Sequence, residues 1–253
     1  MRKGASSGYK STAYVALFRE RERGLANVVT LADYARQVDV FYIHAPDSAT
    51  PIEETLLGIH ELYRANAFKR FGLSNFQPEE VERIWRFCEA HGYPLPQVYQ
   101  GNYSAIARRV EDQLFPTLRR LGMSFYAYSP LAGGFFVKTR ALLTQGAGRF
   151  VANSMYNRLY NKPSYLDALD QWHRIADDAG LKPGELAYRW IRHHSCLEEK
   201  HGDKMVVGAS SIEQLGETMS WLEAGPLEEQ VVQQVELVWK MVEKDAPLDN
   251  FHY

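Results

Sequence analysis

Val38-Asp39-Val40-Phe41-Tyr42-Ile43-His44, VDVFYIH at residues 38–44, is a nearly continuous run of β-branched and aromatic residues that stops on a histidine. A strand covered on one face alternates apolar and polar residues. A run apolar throughout suits a parallel sheet covered on both faces. Four further runs have the same form and end on polar signatures: FKRFGLSN at Asn75, VYQGN at Asn102, FYAYS at Ser129 and MVVGASS at Ser211. The intervals His44 to Ser74, Ser74 to Gln100 and Gln100 to Tyr128 are 30, 26 and 28 residues, the length of one strand plus one crossover helix. From Tyr128 to Gly208 the interval is 80 residues, so it contains an insertion.

Helical patterns fill the gaps. Thr50-Pro51-Ile52-Glu53 places a Thr N-cap before Pro at the first helical position, and Ile52, Leu56, Ile59 and Tyr63 recur at helical spacing. Pro78-Glu79-Glu80 opens a second helix with Val81, Ile84, Trp85 and Cys88 on one face; a third carries Val110, Leu114, Leu118 and Leu121. The stretch 135–163, rich in Gly, Asn and Tyr, reads as a long loop. Helices are then predicted over Ser164–Asp178 and Pro183–His194, from Ile212, and over Leu227–Val242, with KMVVGAS as the last strand.

Alternating strands and helices with short connectors give an α/β fold with a parallel sheet, of (β/α)8 TIM-barrel type. Its chemistry is expected at the carboxyl ends of the strands. Only about five βα units are recognisable, all in residues 38–253, and residues 1–37 are too short for three more. The barrel therefore reads as incomplete. Its open edges favour association, a homodimer included.

Composition narrows the function. The chain has 253 residues, 45% of them apolar, and a formal net charge of −2, which gives no electrostatic reason to expect nucleic acid or an anionic membrane. Two cysteines, Cys88 and Cys196, without metal or redox spacing point to a reducing, cytoplasmic setting. No stretch approaches the ~20 apolar residues of a membrane span, and the start lacks the apolar core of a signal peptide. His193, His194 and His201 lack the carboxylate or cysteine partners of a metal site, and the RERER run at 19–23 reads as a solvated helix face.

The strings HAPDSATPIEETL, FGLSNFQPEEVERI, VYQGNYSAIARRVEDQLFPTLR, AYSPLAGGF and GASSIEQL, in this order, resemble the aldo-keto reductases, most closely the aflatoxin-aldehyde reductase branch and its fungal relatives. The resemblance covers residues 38 to about 253, as strands 4–8 of the family barrel. It implies an NADPH-dependent reductase of a small aldehyde or ketone, set by its fungal relatives in secondary metabolism. It also implies a catalytic tetrad of Asp, Tyr, Lys and His. His44 matches the histidine, which can orient a substrate carbonyl and donate a hydrogen bond as oxyanion character develops. Ser74, Asn75 and Gln100 match the side chains that read the nicotinamide amide, a task for groups that both donate and accept, and Tyr128 matches the aromatic residue stacked on the nicotinamide ring. Ser129, Leu131, Gly133 and Lys138 fall in the stretch that passes over the pyrophosphate, where small residues let backbone amides approach. Arg149 stands at the place of an arginine near the cofactor, and Tyr156 in a substrate-facing segment. Gly208, Ser210, Ser211 and Gln214 match the reader of the 2′-phosphate. Thr218 stands where relatives carry an Asn that contacts adenine.

The remaining tetrad members belong upstream of His44, and no DTA-x-x-Y pattern is present there; Ser11-Thr12-Ala13-Tyr14 lies too close to His44, and Lys3 follows no apolar strand. Two readings follow. One is a reductase in which His44 positions the carbonyl; the other is a truncated, non-catalytic remnant that keeps part of the NADP site and serves binding or interaction.

Overall fold

The computed structural model describes residues 37–252 apart from Ala147 and Asn153. The expectations for residues 1–36, Lys3, Tyr14 and the RERER run among them, lie outside the described residues. Strands β1 (Val38–Ile43), β2 (Phe68–Ser74), β3 (Pro96–Asn102), β4 (Ser124–Tyr128) and β5 (Lys204–Met205) form one sheet. Every pair is parallel and the sheet order equals the chain order.

Side chains alternate between the two faces, as the pleat requires. Phe41, Phe71, Leu73, Tyr99, Phe125 and Ala127 enter the large core shared with the helices. Val40, Tyr42, Val98 and Tyr126 form a separate cluster, with Val206 packed on it. Gly72 makes room for that cluster: a methyl group there would lie 2.5 Å from Tyr42 Cδ1.

Helix α1 (Ile52–Arg64) buries Leu56 and Ile59. Thr50 does not cap it; its hydroxyl donates to Asp47 Oδ2 at 2.8 Å, and Pro51 occupies the cap position. Tyr63 is exposed, with its ring 5.6 Å from that of Phe68. Helix α2 (Pro78–His91) opens with a Gln77/Glu80 capping box and buries Val81, Ile84 and Cys88. The third helix divides into α3 (Val110–Gln113) and α4 (Phe115–Arg120), because Pro116 lacks the N–H that would continue the ladder.

Residues 135–163 are not the loop expected. A 3₁₀ stretch, Ala132–Val137, is followed by α5 (Arg140–Thr144), a 3₁₀ turn at Gly148–Phe150 and α6 (Met155–Tyr160). Each is too short to show a helical period in sequence. Thr139 and Ser154 cap α5 and α6 through their side chains, and Phe135, Phe136, Phe150 and Tyr160 are buried beneath them.

Helices α7 (Pro163–Asp178) and α8 (Pro183–His193) agree with expectation within one residue. β5 is two residues long rather than spanning KMVVGAS; its described ladder is with β4 alone, and Val206 N still donates to Ala127 O. It is anchored by Asp203, whose fully buried carboxylate accepts from Arg119, Phe125 N and Glu198 N. Helix α9 runs Ile212–Glu223 and α10 Glu229–Val242. No described helix is long and apolar enough to cross a membrane.

Candidate active site

Because the strands are parallel, their carboxyl ends share one rim. Ser74 pairs directly with Gln100 across the ladder, Gln100 with Tyr126, and Asn102 with Tyr128. His44, Ser74, Asn75, Gln100, Tyr128 and Ser129 therefore line one end of the sheet.

Two of these residues have left-handed backbones: Asn75 at φ 61° and Ser129 at φ 59°. Such a conformation costs a non-glycine residue roughly 1–2 kcal/mol, and strain of this kind gathers at functional sites. At Asn75 the surroundings hold it. Asn75 Nδ2 donates to the backbone oxygen of His44 at 2.7 Å and to Ser74 Oγ at 3.1 Å, and Tyr99 OH donates to Phe76 O at 2.9 Å. The tips of β1 and β2 are thereby locked together before any ligand arrives. Burial, then the neighbouring Tyr160 and Tyr156, pushes the Tyr128 phenol well above its ordinary range, so it stays neutral on this rim.

The segment after β4 continues the left-handed series, with Ala132 at φ 50°, Gly133 at 69° and Gly134 at 98°. Ala132 N donates to Ser129 O and Gly134 N to Leu131 O. These two N–H groups are satisfied within the turn, and it is the other backbone amides of such a turn that can meet an anion. A methyl at Gly134 would meet nothing within 4 Å. Lys138 Nζ lies 3.8 Å from where a methyl on Gly148 would stand, next to exposed Arg149. Among the described residues neither cation has a carboxylate partner.

At the fifth tip Gly208, Ser210 and Ser211 are exposed. Ser211 caps α9 by accepting from Gln214 N at 3.2 Å. Gln214 Oε1 accepts from Ser210 N and Oγ at 2.7 and 2.9 Å, so its carbonyl braces the turn. Thr218 is buried; it serves the packing of α9 on α8.

Tyr156 stands beside the glycine segment. Its ring covers Gly133, and its hydroxyl lies 3.4 Å from Ser129 Oγ, so it faces the glycine loop. Sequence reasoning missed Asn102, buried at the end of β3, whose Nδ2 donates to Tyr160 OH at 3.1 Å and whose buried Oδ1 has no partner among the described residues. Its signal was an amide closing an otherwise apolar run. The tail was missed as well: Asp249 accepts from Phe251 N and His252 N, and His252 Nδ1 stands 2.9 Å from Gln77 Nε2, beside the turn that carries Asn75. The histidines considered for metal are engaged locally, His193 with Ala224 O, His194 with Leu227 N and His201 with Glu198.

The family model described as "Aldo/keto reductase family" matches residues 33–240. The chain belongs to the aldo/keto reductase family. That family has a (β/α)8 barrel, and the five parallel strands with their helices are an α/β fold of that type. Its members generally use NAD(P)H and act on small carbonyl substrates. Among similar proteins, "Oxidoreductase sirO" of Leptosphaeria maculans is 44% identical over 216 residues, covering 84% of this chain and 66% of that protein. Human "Aflatoxin B1 aldehyde reductase member 2" is 40% identical over 222 residues, 83% of this chain and 62% of that one. "Aldo-keto reductase pigE" of Monascus ruber is 32% identical over 231 residues, 88% and 67% respectively. The chain thus spans about two thirds of the length of these relatives.

Proposed function

We propose that this aldo/keto reductase chain binds NADPH along its strand-tip rim and serves the reduction of a small aldehyde or ketone to an alcohol. One observation carries the reading: the polar tips of β1–β4 form a preorganised rim whose strained residues, Asn75 and Ser129, flank the side chains able to read a carboxamide. Ser74, Asn75 and Gln100 are suited to the nicotinamide amide, and Tyr128 to its ring face. The left-handed run through Gly133–Gly134 suits the pyrophosphate, with Lys138 and Arg149 as counter-charges. Gly208, Ser210 and Ser211 at the start of α9, with Gln214 in its first turn supporting them, suit a further phosphate. When bound, the nicotinamide supplies hydride. The contribution of this chain is to place His44 against the carbonyl oxygen, where an imidazole N–H can stabilise developing negative charge. Fungal secondary metabolism is the setting we favour, since two similar proteins, sirO and pigE, are fungal.

The test is oxidation of NADPH by the purified chain with an aromatic aldehyde such as 2-carboxybenzaldehyde, wild type against His44→Ala. Turnover that falls about 10²-fold or more in the variant, with NADPH affinity unchanged, is expected for a group acting on the transition state. NADPH binding without turnover would replace this reading with a nucleotide-binding chain that has no catalytic role. No binding would end both.

A further inference from the structure

The glycine loop after β4 stores more strain than its glycines explain. Ser129 and Ala132 are both left-handed and both bear a Cβ, a conformation that L side chains disfavour. Such a conformation persists only where surrounding structure imposes it. Part of that structure comes from Tyr156. The Tyr156 ring packs against Gly133, so closely that a methyl there would be 2.7 Å from Cζ and nearer still to Cε1 and Cδ1. Its hydroxyl reaches toward Ser129 Oγ at 3.4 Å. One side chain therefore touches the loop at two of its four left-handed residues.

Tyr156 is itself held from the sheet. It and Tyr160 lie one turn apart on α6, rings stacked at a centroid distance of 6.3 Å. The Tyr160 ring is fully buried against Phe135 and Tyr165, and its hydroxyl takes a hydrogen bond from Asn102 at the tip of β3. A continuous path thus runs from Asn102 through Tyr160 and Tyr156 to Gly133. Helix α6 is clamped to the strand that supplies Gln100 and presses on the loop that follows Tyr128.

From this geometry we infer that Tyr156 is a positioning residue for dinucleotide binding: it holds the Ser129–Gly134 loop in its anion-receptive shape, anchored through Tyr160 to Asn102, and does not line an open substrate pocket. The inference rests on the NADPH reading above. Ring packing does the holding and the hydroxyl adds little, since 3.4 Å is a long, weak hydrogen bond.

The experiment is a titration of the full chain with NADPH, followed by nicotinamide fluorescence, for wild type, Tyr156→Phe, Tyr156→Ala and Asn102→Leu. Far-ultraviolet circular dichroism of each variant establishes that it is folded. Tyr156→Phe keeps the ring on Gly133 and is expected to bind within about twofold of wild type. Tyr156→Ala frees the loop and is expected to raise Kd about tenfold, the equivalent of about 1.4 kcal/mol of released strain. Asn102→Leu is expected to weaken binding in the same direction through Tyr160. Rescue by Phe separates positioning from lost polar contact. Wild-type binding with Tyr156→Ala unchanged overturns the inference and leaves the NADPH reading intact; absence of wild-type binding overturns the reading itself. A folded Tyr156→Phe as weak as Tyr156→Ala would also overturn it, because the hydroxyl, not the ring, would then be the holding group.

Discussion

Replacing Asp203 by Asn should destabilise the fold more than any exposed ion pair can. Its carboxylate is fully buried and accepts four hydrogen bonds: from Arg119 at 2.9 and 2.5 Å, from Phe125 N at 2.8 Å and from Glu198 N at 3.0 Å. The Oδ1 edge faces Arg119 and Phe125 N, the Oδ2 edge Arg119 and Glu198 N. Whichever edge becomes the NH₂ group of Asn, two donors then face a donor, and the charge that pairs Arg119 is gone. Breaking a buried pair on one side costs about 3–5 kcal/mol. The Arg119 side chain retains some exposure, 19%, and can recover some hydration, so about 3 kcal/mol is the expected loss. With an m-value near 3 kcal/mol/M in urea, the midpoint falls by about 1 M at constant m, read by tryptophan fluorescence. The control is Arg140→Ala, which removes exposed pairs with Asp167 and Asp170 and should leave the midpoint nearly unchanged, because solvent screens such pairs. An Asp203→Asn midpoint shift no larger than the control's would refute the claim that this carboxylate fixes β5 against β4.

Alkaline behaviour follows from the buried phenols. Burial foremost raises Tyr99, Tyr103, Tyr128, Tyr160 and Tyr165 above their ordinary value, so they ionise in the unfolded chain before the folded one; stability present below pH ~10 is lost as pH rises further, by up to about 1.4 kcal/mol per pH unit for each. Tyrosinate absorbance should therefore rise in two steps, the second coinciding with loss of circular dichroism; a single step in folded protein would contradict this. Cys88, its thiol pushed up to about 12 by burial, should resist thiol reagents at pH 8 until the chain unfolds, while exposed Cys196 reacts; equal rates would count against the packing described. His194 is lowered, chiefly by burial and then by His193 and Arg189, so its contribution is present above pH 6.5 and fades as pH falls and the unfolded chain takes up the proton. His194→Gln, which keeps an acceptor for Leu227 N, should flatten the acid limb of stability against pH, and an unchanged limb would exclude His194 as its source.

The parallel sheet and most helices were legible because buried strands and amphipathic helices write their periods into sequence: VDVFYIH, FGLSN, VYQGN and FYAYS became β1–β4, and Leu56, Ile59, Val81, Ile84 and Cys88 became core. Elements shorter than two turns carry no such period, which is why α5 and α6 read as loop and the break at Pro116 passed unseen. β5 was overestimated because a β-branched run signals a strand whether or not a partner continues the ladder; beyond Met205 the run is half-buried and then exposed. The rim of the candidate site was legible as polar residues closing apolar runs. Its conformational strain was not: a glycine announces a left-handed turn, whereas Asn75, Ser129 and Ala132 do so only in three dimensions. Nor could the contact of Tyr156 with Gly133 be read from sequence, since several short helical pieces without a visible period lie between them.

Hydrogen–deuterium exchange of the full chain with and without NADPH tests the central claim most directly, because it reports where the nucleotide sits as well as whether it binds. The account predicts slowed exchange at residues 74–76, 100–104, 128–136 and 208–214, the carboxyl-terminal strand tips and the loops leaving them. No change on adding NADPH, or protection confined to the amino-terminal ends of the strands, would contradict it.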